Sequence, residues 1–174
     1  MTTTATPRLN DVDIHAVGAL AGACSAEPEN AETVWSASVR WKGGFASEAT
    51  IREFAPIPSD EPLGLGGTDT APNPVEQLLA ALGNCLAVGY AANATAAGIE
   101  LNELRIDLDG DLNLKTFLGL DDEGHAGYRS VRARVHIDAD VPDDDIEELH
   151  RTVVGTSPVG HTLARAIPLD VALS

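Results

Sequence analysis

An α+β fold is predicted from three observations: one long uncharged run, several short segments that alternate apolar and polar residues, and an order that mixes the two without strict alternation. The long run is residues 73–98, NPVEQLLAALGNCLAVGYAANATAAG, with no charged side chain from Gln77 to Ile99 and Cys85 near its middle. Asn73 before Pro74 is a helix start: the Asn side chain accepts from a free N–H, and proline at the first helical position gives up nothing. Gly98 is the matching stop. A helix of this span is roughly 37 Å long at 1.5 Å per residue. Such length invites a membrane-spanning reading. Gln77, Asn84, Asn93, Thr95 and the many Ala and Gly residues weaken it, and a central helix buried among protein neighbours is expected instead.

In chain order, residues 1–10 read as a disordered, Thr-rich lead. Residues 11–24 read as a short helix with Ile14, Val17, Leu20 and Ala21 on one face, and 25–32 as an acidic loop. Residues 34–41 alternate, with Trp35, Ala37, Val39 and Trp41 on one side. Lys42-Gly43-Gly44 is a turn and 45–54 resumes extended structure, giving a β-hairpin. Pro56, Pro58 and Pro62 lead into Leu63-Gly64-Leu65-Gly66-Gly67, a flexible lid or tight bend; it lacks the Lys of a phosphate-binding loop.

After the long helix, residues 99–109 read as a strand, 112–120 as an extended connection, 121–127 as a polar turn and 128–138 as a clear strand with Val131, Ala133, Val135 and Ile137 on one face. Residues 107–111, DLDGD, resemble the opening of a calcium loop, but position 118 is Leu where the bidentate Glu is needed. Solvated acids at a strand end are expected there. A helix follows over 142–154, with Asp143 to Asp145 at its positive end. Ser157-Pro158 caps and opens another short helix, and 169–173 closes the chain as a strand. Residues 1–33 are taken as an N-terminal extension, partly helical or disordered, and 34–174 as the main domain.

Composition narrows function. The 174 residues suit one domain with a core of Leu, Val, Ile and Ala, because only three Phe, two Trp and two Tyr are present. A formal charge of −16 repels phosphate backbones, so no nucleic-acid partner is expected. The first residues lack the pattern of a secretory signal, and two cysteines are too few for a disulfide scaffold. A cytoplasmic protein with reduced thiols, and no membrane role, is expected. The five histidines show no metal spacing, and no dinucleotide, nucleophile-elbow or paired-cysteine motif is present, so neither metal nor cofactor is expected.

Cys85 is the one nucleophilic or redox-capable side chain in the long run. Buried cysteine is often a small packing residue, and a mid-helix thiol gains nothing from the helix dipole. Activation requires a cation, and the hairpin offers Arg40, Lys42 and Arg52. Glu76 is nine residues before Cys85, about two and a half turns, so on one straight helix the two face opposite ways. They meet only if Glu76 precedes the helix or another subunit supplies the acid. Otherwise Glu76 favours the helix N-terminus. Cys24 is expected to be an incidental apolar residue.

PNPVEQLLAALGNCL, the following Ala-Ala-Gly-Ile at 96–99, the hairpin VRWKGGF and the late SPVGHTLARAIPLDV together resemble the OsmC/Ohr superfamily of thiol-dependent hydroperoxide reductases, from about Trp35 to the C-terminus. The resemblance implies an intertwined homodimer with long helices packed centrally between mixed sheets and active sites at the subunit seam. It implies a helix cysteine that attacks an organic hydroperoxide and becomes a sulfenic acid, a second cysteine before Pro-Val that resolves it, and an Arg and a Glu that orient and charge the thiol.

Carried over residue by residue, Cys85 matches the peroxidatic position. The resolving position is Ser157, which cannot form a disulfide. The glutamate expected directly after Asn-Pro is Val75, with Glu76 one step later; near the hairpin turn, where an arginine is expected, stand Arg40 and Lys42, and the motif fixes neither. Two expectations follow. One is a peroxidase in which Cys85 reduces an organic hydroperoxide and an external thiol reductant resolves it. The other is a non-catalytic dimer that binds an apolar small molecule or is associated with stress, with Cys85 as packing.

Overall fold

The computed structural model describes residues 8–173. The chain falls into two compact units, one formed by His15–Leu78 and the other by Met1–Ile14 with Leu79–Ser174. The architecture is α+β, with four α-helices and five strands in two small sheets among the described residues.

In the first unit, helix α1 spans Ile14–Ala26 and ends two residues beyond the predicted stop at Cys24. A 3-10 turn at Pro28–Ala31 occupies the predicted acidic loop. Strands β1 (Ser38–Gly43), β2 (Ala46–Thr50) and β3 (Ile57–Ser59) form an antiparallel sheet in that order. The predicted hairpin is therefore present but shorter, with residues 34–37 outside the strand. Val39 faces Ala49, Trp41 faces Ser47, and a bulge falls between Trp41 and Gly43. The turn needs positive φ at Gly43 (113°) and Gly44 (57°), which a side chain would resist. The Trp41 indole N–H donates to the Gly44 carbonyl at 2.8 Å and staples the turn.

Strand β3 was expected to be proline-rich loop. Pro58 has no N–H to give a ladder, and β3 lies at the sheet edge, where that loss is tolerated. The glycine-rich segment forms a tight bend: a 3-10 turn at Leu63–Leu65 ends in Gly66 at φ 89°.

Helix α2 runs from Pro74 to Ala96 without interruption. Asn73 Oδ1 accepts from the Glu76 N–H, and Glu76 Oε2 accepts from the Asn73 N–H, both at 2.9 Å. This reciprocal cap satisfies two donors that a helix start otherwise leaves free. At the other end Gly98 takes φ 74° and the Ile99 N–H returns to the Ala94 carbonyl. Among the described residues α2 is the helix long and apolar enough to cross a membrane by length and composition. In the structure, however, its Leu82, Leu86, Tyr90 and Ala94 are buried in the second unit's protein core.

That core is closed by two further layers. Strands β4 (Glu103–Leu112) and β5 (Tyr128–Asp138) pair antiparallel, with Leu104 opposite Ile137, Ile106 opposite Val135 and Leu108 opposite Ala133. The predicted span of β5 is matched to the residue, while β4 begins four residues after the predicted start. Leu104, Ile106, Leu108, Val131, Val135 and Ile137 pack on the buried cluster. Helix α3 (Asp143–Thr156) adds Leu149 and Val153. Gly89 lets α3 come close: a Cβ there would sit 2.9 Å from a Val153 methyl. Helix α4 (Pro158–Ala164) follows at once, capped as predicted by Ser157, whose side chain accepts from the Gly160 N–H.

Three expectations change in this unit. Residues 112–120 turn rather than extend, with Leu118 N–H bonded to Leu114 O and Leu120 N–H to Lys115 O. The acids of 107–111 lie along β4 rather than at its end. On the sheet's polar face Asp107 pairs with Arg105 and His136, Asp109 with Arg132 and Arg134, and Asp111 with Arg132. The Arg132 hydrogen bond, aided by the Ser130 hydroxyl, holds the Asp111 carboxyl down at about 2. Lastly, residues 169–173 form no strand. Leu169, Val171 and Leu173 stand 85%, 85% and 105% exposed, and an extended segment with no neighbour to share its hydrogen bonds is not a strand.

The predicted disordered lead lies outside the described residues up to position 7. Beyond it the chain is ordered by Asn10 at φ 50°. Its amide donates to Thr95 Oγ1 and the Ile99 carbonyl and accepts from the Leu101 N–H. These groups sit just where α2 ends.

Candidate active site around Cys85

Cys85 occupies the middle of α2, one residue before the buried Leu86 and three after the buried Leu82, so its sulfur leaves the helix at the margin of the core and is half-buried. Ser157 sits at the junction of α3 and α4, 5% exposed. Its backbone is extended (φ −69°, ψ 114°), which breaks the helical run. Pro158 then restarts it with a φ already suited to a helix. The break turns the Ser157 side chain toward α2, and Cys85 Sγ and Ser157 Oγ lie 3.3 Å apart in a hydrogen bond.

Of the four predicted site residues, the structure therefore brings Cys85 and Ser157 together. Glu76 is in the first turn of the same unbroken helix, so it does not precede the helix proper, and its carboxylate receives the Asn73 N–H. Arg40 lies exposed on β1, across from Glu48 on β2, while the neighbouring Lys42 makes the ion pair with Glu48 at 3.1 Å. Cys24 is a free, half-buried thiol on α1. Among the described residues no group of three or more His, Cys, Asp and Glu side chains is placed to hold a metal ion.

Two polar arrangements escaped the sequence reading. Asp60, 2% exposed, accepts from the Glu61, Thr68 and Thr70 N–H groups and from both threonine hydroxyls. Those bonds, the Thr68 hydroxyl first, hold its carboxyl far below the usual carboxylate range. The loop they gather is tight enough that a Cβ at Gly67 would lie 1.8 Å from the Glu61 carbonyl oxygen. It delivers the chain to the cap of α2. The second arrangement is Tyr90, fully buried, whose hydroxyl is hydrogen-bonded to His150 Nδ1 on α3. Burial pushes the phenol up, so it stays protonated. Neither has a sequence signature: Tyr90 and His150 stand 60 residues apart, and Asp60 gains its partners only where the loop folds Thr68 and Thr70 back onto it. Beside His150, Val135, Ile137, Ile146 and Val154 line an open groove of about 790 Å³ between β5 and α3.

The family model described as OsmC-like protein matches residues 67–172, which hold α2, the β4–β5 sheet, α3, α4 and both partners of the Cys85–Ser157 contact. Among solved structures, an OsmC-like protein from Mycoplasma pneumoniae is 20% identical, with a TM-score of 0.67 over 76% of this chain and 89% of that one. An OsmC-like protein of unknown function from Vibrio cholerae is 14% identical, with a TM-score of 0.65 over 75% and 94%. An organic hydroperoxide resistance protein from Legionella pneumophila is 16% identical, with a TM-score of 0.58 over 76% and 91%. These likenesses show the fold. No curated protein sequence matches the chain.

Proposed function

Because the chain belongs to the OsmC-like protein family, we propose that it reduces organic hydroperoxides with Cys85 as the attacking thiol and an external thiol as reductant. The observation that carries this reading is the half-buried Cys85 sulfur on the central helix, facing the residue before Pro-Val at 3.3 Å. Solved relatives of the same fold include proteins described as organic hydroperoxide resistance proteins.

In the proposed step the Cys85 thiolate attacks one peroxide oxygen. An S–O bond forms, the O–O bond breaks, and the alkoxide leaves and takes up a proton as the alcohol. Sulfur loses two electrons and becomes a sulfenic acid. With Ser157 opposite, no disulfide closes across this contact. An external thiol instead attacks the sulfenic sulfur, water leaves, and a second external thiol frees Cys85 as a disulfide of the reductant departs.

We propose a homodimer as the working form, in the cytoplasm where such thiols stay reduced. The apolar side chains of β1 and of residues 169–173 support it: Trp41 is 72% exposed and Leu173 fully so. Arg40 and Glu76 are assigned to orienting and charging the thiol. Since Glu76 shares one straight helix with Cys85, its part would be played across the seam between two copies.

The test is intact-mass spectrometry of the protein after one equivalent of cumene hydroperoxide in the presence of dimedone, beside a hydroperoxide-consumption assay with added thiol. A dimedone adduct on Cys85, and consumption abolished in Cys85→Ser, are expected. An unmodified thiol at long times with no turnover for any thiol would instead favour a ligand-binding dimer in which Cys85 only packs.

A further inference from the structure

We propose that the Ser157 hydroxyl is a working hydrogen-bond partner of the Cys85 sulfur that steadies its reactive form, rather than an inert residue where a second cysteine would stand. The inference rests on the reading of Cys85 as the reactive thiol, and it names what this chain puts in place of a disulfide partner.

The geometry around Ser157 is specific. The side chain is 5% exposed, so its hydroxyl has little access to water and must be satisfied by protein groups. One acceptor position is filled by the Gly160 N–H at 3.1 Å, the cap bond of α4. That bond fixes the oxygen and leaves its hydrogen free, with the sulfur at 3.3 Å to receive it. Space is tight: a Cβ at position 160 would lie 3.0 Å from Ser157 Oγ and 3.2 Å from Ser157 Cβ, so glycine there allows the hydroxyl its place. A hydroxyl both accepts and donates. It accepts from Cys85 while the sulfur carries its hydrogen, and by rotating about one bond it donates once the sulfur is an anion. A donor to the charged form favours that form, and bonds to ionised acceptors are the stronger kind.

The experiment measures alkylation of Cys85 by iodoacetamide in the full chain, in a Cys24→Ser background, from about pH 5 to 9. Ser157→Ala is expected to move the rate profile to higher pH and to slow the reaction about tenfold at neutral pH. Ser157→Thr, which keeps the hydroxyl, is expected to restore most of the rate. Coincident profiles for Ser157→Ala and the parent, or a faster reaction at every pH, would overturn the proposal. If Ser157→Ala does not fold, Ser157→Cys treated with diamide decides: the azo group takes two electrons and two protons as a disulfide closes to Cys85. Intact mass should fall by two hydrogens, and two thiols that both still alkylate would overturn the contact. Alkylation needs no peroxide, so a protein without peroxidase turnover would sink the proposed function while leaving this measurement readable.

Discussion

The sheets β4–β5 and β1–β2–β3 are both antiparallel, and β1, like β4 and β5, alternates apolar with polar side chains, yet the two sheets differ in what covers them. In the first, Leu104, Ile106, Leu108, Val135 and Ile137 lie against a cluster that contains Leu86, Tyr90, Leu149 and Val153. The opposite face carries a ladder of acids and bases that belongs in water. In the second, Val39 is 67%, Trp41 72% and Ile57 45% exposed, although the alternation would suit a half-covered sheet just as well. An apolar face this open, in a chain whose other sheet is sealed, is suited to a further cover. In the proposed dimer that cover is a second copy.

The largest effect expected from challenging this contrast is in the sealed region. Leu149→Ala, at a position 5% exposed, should lower unfolding free energy by about 2–4 kcal/mol in urea, since the cavity adds to the lost transfer energy. A loss below half of the lower figure would mean that α3 is not the lid of that core.

Next is the open sheet. Trp41→Ser should leave the far-ultraviolet dichroism unchanged and weaken self-association by about tenfold or more in sedimentation equilibrium. An unchanged association constant would remove β1 from the seam.

Smaller again is the Asp60 loop. Its carboxyl is held down in the folded chain, so the stabilisation is full above the unfolded value near 4 and is lost as pH falls from there toward the folded-state value. Thermal melts should show the parent losing Tm below about pH 4, and Asp60→Asn, already several degrees lower at neutral pH, should be less steep there. Equal slopes would contradict the network.

The smallest expected change is on the charged face of β5. Arg132→Ala should shift Tm by no more than about 2 °C, and added salt should shrink the difference, because its partners Asp109 and Asp111 are well exposed. A larger shift would mean that this face, too, is covered.

What the sequence made legible follows the range of the interactions. Helix α2 announced both its ends, because Asn73-Pro74 and Gly98 act through bonds a few residues long. The Ser157 cap was readable for the same reason, and β5 through the regular alternation of Val131, Ala133, Val135 and Ile137. Strand β3 and the unpaired C-terminal segment were not: whether an extended stretch becomes a strand depends on a neighbour that its own residues do not name. Asp60 looked like one acid among many, and only the return of Thr68 and Thr70 to its carboxylate makes it a hub. The pairing of Cys85 with Ser157 spans 72 residues, so no spacing rule exposes it. Its two positions were found through family likeness, and its contact only through packing.

The Asn10 bracket at the foot of α2 carries a practical lesson about where this polypeptide tolerates being shortened. One amide there supplies the Ile99 oxygen with a donor and the Leu101 nitrogen with an acceptor. Trimming the chain back past it would strip both backbone groups of their partner, and would loosen the central rod from the end farther from its cap. An expression variant that starts after residue 10 is therefore not a harmless tidying of a tail.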